Sequence, residues 1–303
     1  MEYGLALAGG GTRGAAHAGV ILALKEEKLL PTFIAGTSAG SMVAGGFAGG
    51  MEAEELCDTV HHLSKHGMEY LDPDIVGLMM LVPQLLLHQK TTLSGILKGN
   101  KLKRYFSILT KGQRLENIAC PLLIPVVDIL TGDTVCFTNI KKNNKIRFCG
   151  REGYLEVGDS LERMVQWEKS GKLCDIMMAS CSVPGIFRPI KYKNRCLVDG
   201  GVTDNLPVNL FIKAGVKNVV AVDIGSDYEM PEEEGIFEIL SHSFSVMSNN
   251  LKECRSTGEV LLLKPEITTK AGLLTFEYME QCMEDGYAYT KKNAGRIRKA
   301  INC

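Results

Sequence analysis

The stretch Phe33-Ile34-Ala35-Gly36-Thr37-Ser38-Ala39-Gly40 places a serine between two glycines, directly after a short apolar run. The residues that follow, 41–47, are small or apolar and compatible with a helix. A strand, a sharp turn and a helix in this order are the setting of a nucleophile elbow, in which the serine backbone is strained and its neighbours must be small. Gly36 and Gly40 meet that need. The pattern therefore predicts that Ser38 presents its hydroxyl above the end of the strand. The same five-residue pattern, Gly-x-Ser-x-Gly, also occurs by chance in ordinary turns.

A second glycine-rich turn lies between a predicted strand, Tyr3 to Ala8, and a predicted helix, Ala15 to Glu27. Its sequence is Gly9-Gly10-Gly11-Thr12-Arg13-Gly14. The same glycine spacing occurs in dinucleotide sites, but those require an acidic residue at the end of the second strand. This chain has Ala35-Gly36-Thr37-Ser38 there, and no Gly-Lys-Ser/Thr closes a phosphate-binding loop.

An oxyanion hole is the alternative interpretation of this glycine turn. Backbone amides of Gly10, Gly11 and Thr12 would hold the negative oxygen of a tetrahedral intermediate, and each such donor is typically worth about 3 kcal/mol. The amino end of the following helix would add positive potential. Two adjacent parallel strands would bring this turn and Ser38 to the same edge of a sheet.

The best candidate for a general base is Asp199, which follows a predicted strand and precedes Gly200 and Gly201. A carboxylate about 3 Å from a hydroxyl can accept its proton directly when the site is partly desolvated. The alternative is a Ser-acid-His triad, for which His242 is the one histidine after Asp199. Because His242 lies in a stretch typical of the middle of a helix, and because the elbow comes too early for an α/β-hydrolase, a Ser38–Asp199 dyad is favoured.

Predicted strands and helices alternate along the chain. Apolar runs at 3–8, 33–35, 122–130, 218–224 and 260–264 are typical of buried strands. Such alternation predicts an α/β fold with a mostly parallel, doubly wound sheet flanked by helices. We expect residues 1–303 to form a single domain, with the motifs in about 3–224 and a helical part over 232–303.

An unusual apolar stretch, residues 72–88, contains Ile75-Val76, a run from Leu78 to Val82, and a run from Leu85 to Leu87. It is too short, and too interrupted by Pro83, to span a bilayer. The favoured interpretation is a core helix of an inserted cap. The alternative is a lid or acyl-chain wall that touches lipid.

The composition argues against several classes of function. A net charge of −1 gives no case for nucleic-acid binding. The ten cysteines have no zinc-ligand spacing, so no metal site is predicted, and many free thiols favour the cytoplasm. Neither a signal peptide nor a membrane-spanning helix is predicted. A basic run predicts a solvated turn, and contact with anionic head groups is the alternative. The run consists of Lys141, Lys142, Lys145 and Arg147.

Together, the elbow at 36–40, the glycine turn at 9–14 and Asp199-Gly200-Gly201 resemble the ordered signature of patatin-like phospholipases. A fourth stretch is similar to the family's segment ahead of its aspartate, namely Ala179-Ser180-Cys181-Ser182-Val183-Pro184-Gly185-Ile186-Phe187-Arg188-Pro189. The similarity extends over roughly residues 3–224 and is to the compact bacterial members. One departure is Ala8, where the family often has aspartate.

The resemblance implies an acyl hydrolase that cleaves lipid ester bonds without metal or cofactor, with Ser38 as nucleophile and Asp199 as base. It implies that the glycine turn is the oxyanion hole and that Arg13 stabilises or shapes it. The expected partner is a phospholipid or lysophospholipid, met by transient contact with a membrane surface. Two alternatives stay open: a non-catalytic lipid- or partner-binding regulatory protein, and a triad esterase that uses His242.

Overall fold

The computed structural model describes residues 2–140, 155–157, 160–162, 165–225, 235–255 and 258–302. The basic run predicted at 141–147 lies outside the described residues. Within the described parts of the chain, strands and helices alternate as the sequence predicts.

The strands are numbered in chain order. They are β1 Gly4–Leu7, β2 Phe33–Gly36, β3 Gly95–Leu97, β4 Leu122–Asp128, β5 Asp133–Thr138, β6 Leu155–Val157, β7 Ser160–Glu162, β8 Val165–Glu168, β9 Gly185–Phe187, β10 Ile190–Tyr192, β11 Arg195–Asp199, β12 Val219–Val222 and β13 Leu261–Leu263. The helices are α1 Ala16–Glu26, α2 Ala39–Ala48, α3 Ala53–His66, α4 Ile75–Leu86, α5 Asn100–Leu109, α6 Leu173–Ser180, α7 Val208–Lys213, α8 Ile236–Arg255 and α9 Met279–Ile301. The five strands predicted from apolar runs are confirmed as β1, β2, β4, β12 and β13.

Five parallel strands form the centre of the sheet, in the order β4-β2-β1-β12-β13. Strands β1, β4 and β12 are buried at every residue and apolar except for Asp128 at the end of β4, which is typical of a parallel sheet covered on both faces. The chain leaves β1 toward β2 on one side and reaches β12 on the other, so the sheet is doubly wound. The predicted fold class is confirmed.

At β4 the sheet departs from the parallel pattern, and this departure places the candidate base. One edge of β4 pairs with β5. The other edge pairs with β2 through Leu122 and Leu123, and with β11 in the opposite direction through Val126 to Asp128. Strands β2 and β11 therefore run head-on along one edge of β4, and their carboxyl ends meet beside Pro125.

Helix α9 packs against α1, so the last described part of the chain covers the first. The two helices approach closely because glycines face backbone on both sides. A Cβ on Gly19 would overlap the carbonyl oxygen of Met283, and a Cβ on Gly286 would overlap that of Ala16. Residues beyond the motif-bearing part thus belong to the packing around the first strand and helix.

Helix α4 is the exception to this packing. Ile75, Met79 and Leu86 are 61%, 72% and 75% exposed, whereas the buried residues of the helix are Gly77 and Gln84. The interpretation of this stretch as a core helix of an inserted cap is therefore wrong, because its apolar side chains face outward. A search of the described residues for a helix long and apolar enough to cross a membrane finds none.

Candidate active site

Ser38 stands at the turn between β2 and α2 in a strained backbone conformation. Its φ is 52° and its ψ is −122°, a region that residues other than glycine rarely adopt. The turn is so tight that a Cβ on Gly36 would overlap the Gly40 carbonyl, and a Cβ on Gly40 would overlap the carbonyls of Leu7 and Ala8. This is the geometry of a nucleophile elbow, and it leaves Ser38 8% exposed in the wall of a pocket.

A second serine, Ser180, holds the elbow in place. Its Oγ accepts the Ser38 N–H at 3.0 Å and donates to the Pro125 carbonyl oxygen at 2.9 Å. Because β2 and β11 meet beside Pro125, this bridge ties the strained turn to β4. Ser180 lies in the fourth stretch of the family resemblance, but nothing in the sequence distinguishes its role from that of Ser182.

Replacing Ser180 with alanine is expected to lower the free energy of unfolding by about 1–3 kcal/mol, because a buried N–H and a buried carbonyl both lose a partner. Turnover of an acyl ester should fall about tenfold or more, since a small displacement of a nucleophile is costly. Ser182→Ala is the matched control, because Ser182 is equally buried but donates to the Met178 carbonyl one helical turn earlier. Urea denaturation and ester turnover would check both variants, and equal losses would contradict the bridge.

Asp199 is fully buried at the carboxyl end of β11. Its Oδ1 accepts the Gly201 N–H at 2.7 Å, while Oδ2 has no hydrogen-bond partner among the described residues. Burial raises the pKa of Asp199 to about 7, and the neighbouring Ser38 side chain and the Gly201 N–H oppose that rise. The carboxyl ends of β2 and β11 meet beside Pro125, so the turn that carries Ser38 lies next to Asp199. The structure thus brings Ser38 and Asp199 together.

The residues after Asp199 connect it to the glycine loop, residues 9–14. Gly201 supplies the N–H just described, and Gly200 lies so close to the Pro125 carbonyl that a Cβ would overlap it. Asn205 then reaches the loop, because its backbone carbonyl accepts the Gly9 N–H at 3.0 Å and its side-chain amide donates to the Gly9 carbonyl at 3.5 Å. The sequence marks Asn205 as the start of a helix and carries no signal for this contact.

The glycine loop lies beside the elbow because β1 and β2 are parallel neighbours. The amides of Gly9 and Thr12 are engaged, since the Thr12 N–H donates to the Gly272 carbonyl at 3.1 Å. No acceptor is found within the described residues for the amides of Gly10 and Gly11. The expectation that the Thr12 amide faces an oxyanion is therefore revised, and Gly10 and Gly11 remain the candidate donors.

Arg13 and Gly14 complete the loop. The Arg13 Nε donates to the Gly10 carbonyl at 3.4 Å, and burial lowers the pKa of the guanidinium from its usual value. A Cβ on Gly14 would overlap the side chain of Ala39, the residue after the nucleophile candidate. Arg13 therefore braces the loop, and Gly14 allows the loop and the elbow to touch.

His17 and His242 both lie in helices. His17 in α1 is fully buried, donates from Nε2 to the Ala8 carbonyl at 2.8 Å, and has its pKa lowered by burial to about 4. It is neutral at pH 7 and supports the start of the glycine loop. His242 lies within α8, as predicted.

A largely apolar pocket opens at Ser38, with Gly11 and Thr12 of the glycine loop in its wall. The rest of the wall comes from five regions of the chain. Its members are Ala39, Met42, Leu63, Gly67, Tyr70, Leu71, Leu102, Cys181, Val183, Phe187, Leu273, Leu274, Phe276 and Met279. Such a wall suits an acyl chain and offers few hydrogen-bond partners to a polar ligand.

The C-terminal segment, residues 272–279, closes one side of this pocket and lies outside the motif-bearing part. The Thr12 Oγ1 donates to the Gly272 carbonyl at 2.8 Å and lies 3.2 Å from the Thr275 Oγ1. Gly11 has a φ of 61°, and a Cβ there would lie 2.6 Å from the Leu273 Cα. Sequence reasoning missed this segment because the contact joins residues 260 positions apart.

Fold and site together define an α/β protein in which a serine elbow and a glycine loop border one apolar pocket, and a buried carboxyl group lies at the neighbouring strand end. A family model described as patatin-like phospholipase matches residues 5–212. The chain belongs to the patatin-like phospholipase family.

Three related proteins are similar in sequence to nearly the whole of this chain. Lysophospholipase NTE1 of Meyerozyma guilliermondii is 26% identical over 94% of this chain and 19% of its own length. Lysophospholipase NTE1 of Kluyveromyces lactis is 28% identical over 95% of this chain and 19% of its own length. An uncharacterised NTE family protein of Mycobacterium tuberculosis is 22% identical over 94% of this chain and 45% of its own length. The chain thus spans less than half the length of these relatives.

Among solved structures, VipD from Legionella pneumophila is similar to this chain with a TM-score of 0.48 and 15% identity. That similarity covers 97% of this chain and 67% of VipD.

Proposed function

We propose that this chain is a serine acyl hydrolase that cleaves carboxylic ester bonds of phospholipids or lysophospholipids through Ser38 and Asp199. The observation that carries the proposal is the arrangement of three groups. Ser38, in a strained conformation, and the glycine loop with its Gly10 and Gly11 amides border one apolar pocket, and the buried Asp199, with Oδ2 unpartnered among the described residues, lies at the neighbouring strand end. Family membership and the names of the relatives support the same reaction class. In this proposal residues 1–303 act as one hydrolase unit, and Ser38 and Asp199 suffice for the chemistry without metal or cofactor.

In the first step the Ser38 Oγ attacks the ester carbonyl carbon while the Asp199 Oδ2 takes the hydroxyl proton. A pKa of about 7 suits this role, because such a carboxylate is substantially ionised at neutral pH and still holds a proton well. The amides of Gly10 and Gly11 hold the negative oxygen of the tetrahedral intermediate. Its collapse breaks the bond to the leaving alcohol, which takes the proton back from Asp199.

In the second step a water molecule attacks the acyl group on Ser38. Asp199 accepts one proton of that water, and the glycine-loop amides again hold the oxyanion. Collapse breaks the bond between the acyl carbon and Oγ, the proton moves from Asp199 to Ser38, and the fatty acid leaves. The same carboxyl group thus acts as the base in both steps, so no third catalytic residue is needed.

The preference for lipid follows from the pocket wall. Each methylene of an acyl chain that leaves water for this wall gains about 0.8 kcal/mol. Esters of longer acyl chains should therefore have a lower KM than short ones until the pocket is full. Lysophospholipid and phospholipid both present such a chain next to an ester, and comparing their turnover on the purified protein separates the two.

A fluorophosphonate probe is expected to label Ser38 of the wild-type protein, because an activated serine attacks the probe's phosphorus. Mass spectrometry of the peptide that carries the elbow would locate the label. Ser38→Ala should remove it, and Asp199→Asn should slow it strongly. His242→Ala is the control and should label at the wild-type rate.

Two results would replace this mechanism. Absence of labelling together with absence of ester turnover would favour the non-catalytic binding protein. Loss of labelling and turnover in a His242→Ala variant that melts normally would favour the triad esterase.

A further inference from the structure

We propose that helix α4 docks the protein on a bilayer that carries anionic head groups, lying in the interface without crossing it. The inference rests on the proposed function, because it names the surface from which the lipid substrate is taken. It is carried by the exposure, position and charge of α4 and its neighbours.

The outward side of α4 is apolar around most of the helix. No charged residue occurs from Ile75 to Leu87, and the polar side chain of Gln84 is buried, where its Oε1 accepts the Thr92 N–H at 2.9 Å. At 3.6 residues per turn, the exposed apolar positions cover an arc of roughly 220°. A helix that contacts one protein surface needs an apolar stripe of about 100°. Fluid hydrocarbon can surround the wider arc.

The amino end of α4 is fixed to the wall of the candidate active-site pocket. The Asp74 carboxylate accepts the Gly77 N–H at 3.3 Å and forms an ion pair with Arg188. Arg188 directly follows Phe187, and Leu71 lies just before Asp74, and both Phe187 and Leu71 line the pocket. A lipid held at α4 is therefore adjacent to the wall that would receive its acyl chain.

The chain that follows α4 is basic. Residues 75–115 contain no aspartate or glutamate, although the whole chain has a net charge of −1. Lys90, Lys101 and Arg104 are exposed within this segment. An exposed apolar helix followed closely in the chain by exposed cations is the kind of segment that binds an anionic lipid surface.

The length of α4 sets its depth. Twelve residues at 1.5 Å each extend about 18 Å, well short of the roughly 30 Å of a hydrocarbon core. The helix can therefore lie along the interface with its apolar arc in the acyl region. Its anchored end keeps the pocket at the same surface.

The test uses residues 1–303 with the Ser38→Ala change, so that lipid is not consumed, and vesicles of phosphatidylcholine mixed with phosphatidylglycerol. Met79→Gln/Leu86→Gln changes two exposed residues of α4 that do not line the pocket. Ile129→Gln/Leu130→Gln is the matched control, because these side chains are 51% and 65% exposed in the β4–β5 hairpin. We expect the α4 pair to weaken vesicle binding at least tenfold in co-sedimentation, and the hairpin pair to change it less than twofold. Pure phosphatidylcholine vesicles should bind more weakly than the mixed ones.

The same pairs in the Ser38-containing enzyme separate docking from chemistry. The α4 pair should hydrolyse soluble p-nitrophenyl butyrate at the wild-type rate and lose at least fivefold on ester lipid in vesicles. Unchanged vesicle binding by the α4 pair would overturn the docking inference and leave the hydrolase intact. So would a dimer, seen by analytical ultracentrifugation, that the α4 pair dissociates. Normal, α4-dependent vesicle binding without hydrolysis of any ester would overturn the proposed function alone.

Discussion

Replacing Ser38 with alanine is expected to lower kcat/KM for a long-chain acyl ester by at least about 10⁴-fold, equivalent to roughly 5.5 kcal/mol of transition-state stabilisation. The reason is that no covalent acyl intermediate can form, while the pocket and the glycine-loop amides remain. Substrate affinity should therefore change little, and the loss should appear in kcat. Steady-state kinetics with p-nitrophenyl esters would measure both. A folded Ser38→Ala protein with turnover within tenfold of wild type would remove Ser38 from the nucleophile role.

The strained backbone of Ser38 supplies a second measurement. At a φ of 52° and a ψ of −122°, a residue with a Cβ is disfavoured and glycine is not. Ser38→Gly should therefore be as inactive as Ser38→Ala and more stable than it by about 1 kcal/mol, after the extra freedom of glycine in the unfolded chain is subtracted. Equal unfolding midpoints in urea would show that the elbow stores no such strain.

Replacing Asp199 with asparagine is expected to lower turnover by about 10³-fold, because the amide cannot accept the Ser38 proton. In the wild-type protein kcat/KM should rise with pH through a limb near the Asp199 pKa of about 7 and then level off, since only the ionised carboxylate is a base. Asp128→Asn is the matched control. Asp128 is also buried, and its Oδ1 accepts the Cys196 N–H at 3.1 Å. That variant should keep the limb near pH 7, and a limb that survives in Asp199→Asn would contradict the assignment.

As the pH rises through 7, the free energy of unfolding should fall while kcat/KM rises. Burial raises the pKa of Asp199 from 3.8 in the unfolded chain to about 7 in the fold, so the folded state binds the proton more tightly. Ionisation of Asp199 therefore does not affect the free energy of unfolding below about pH 4 and lowers it progressively between pH 4 and 7. Above pH 7 the loss is on the order of a few kcal/mol. Asp199→Asn should be more stable than wild type above pH 7 and lose that advantage in acid. Urea unfolding at pH 4 and pH 8 would check the difference.

The elbow is the part of the site that the sequence predicts best, because its determinants are local. Gly36 and Gly40 surround Ser38 within five residues, and the structure shows why each must lack a Cβ. The glycine loop is predicted for the same reason, and its place beside the elbow follows from parallel pairing of β1 and β2. Which of its amides remain unengaged depends on Gly272, far along the chain, so the sequence could not distinguish Thr12 from Gly11.

The apolar stretch at 72–88 shows the opposite case. Its composition predicts a helix, and α4 confirms one. Composition does not say whether an apolar helix is covered, because that depends on which other elements reach it. In the described structure no large hydrophobic side chain of α4 is buried, whereas the polar side chain of Gln84 is buried. The preference for a core helix failed at this point.

The sequence by itself determined the alternation of strands and helices, the tight turn around Ser38, the glycine loop and the acid that ends β11. All of these depend on residues that are close together in the chain. Tertiary structure alone decided that β11 runs against β2 along β4, that Ser180 bridges to the elbow, that the C-terminal segment closes the pocket, and that α4 is exposed. Those features are contacts between distant parts of the chain, and their energies depend on the packed arrangement of several elements at once.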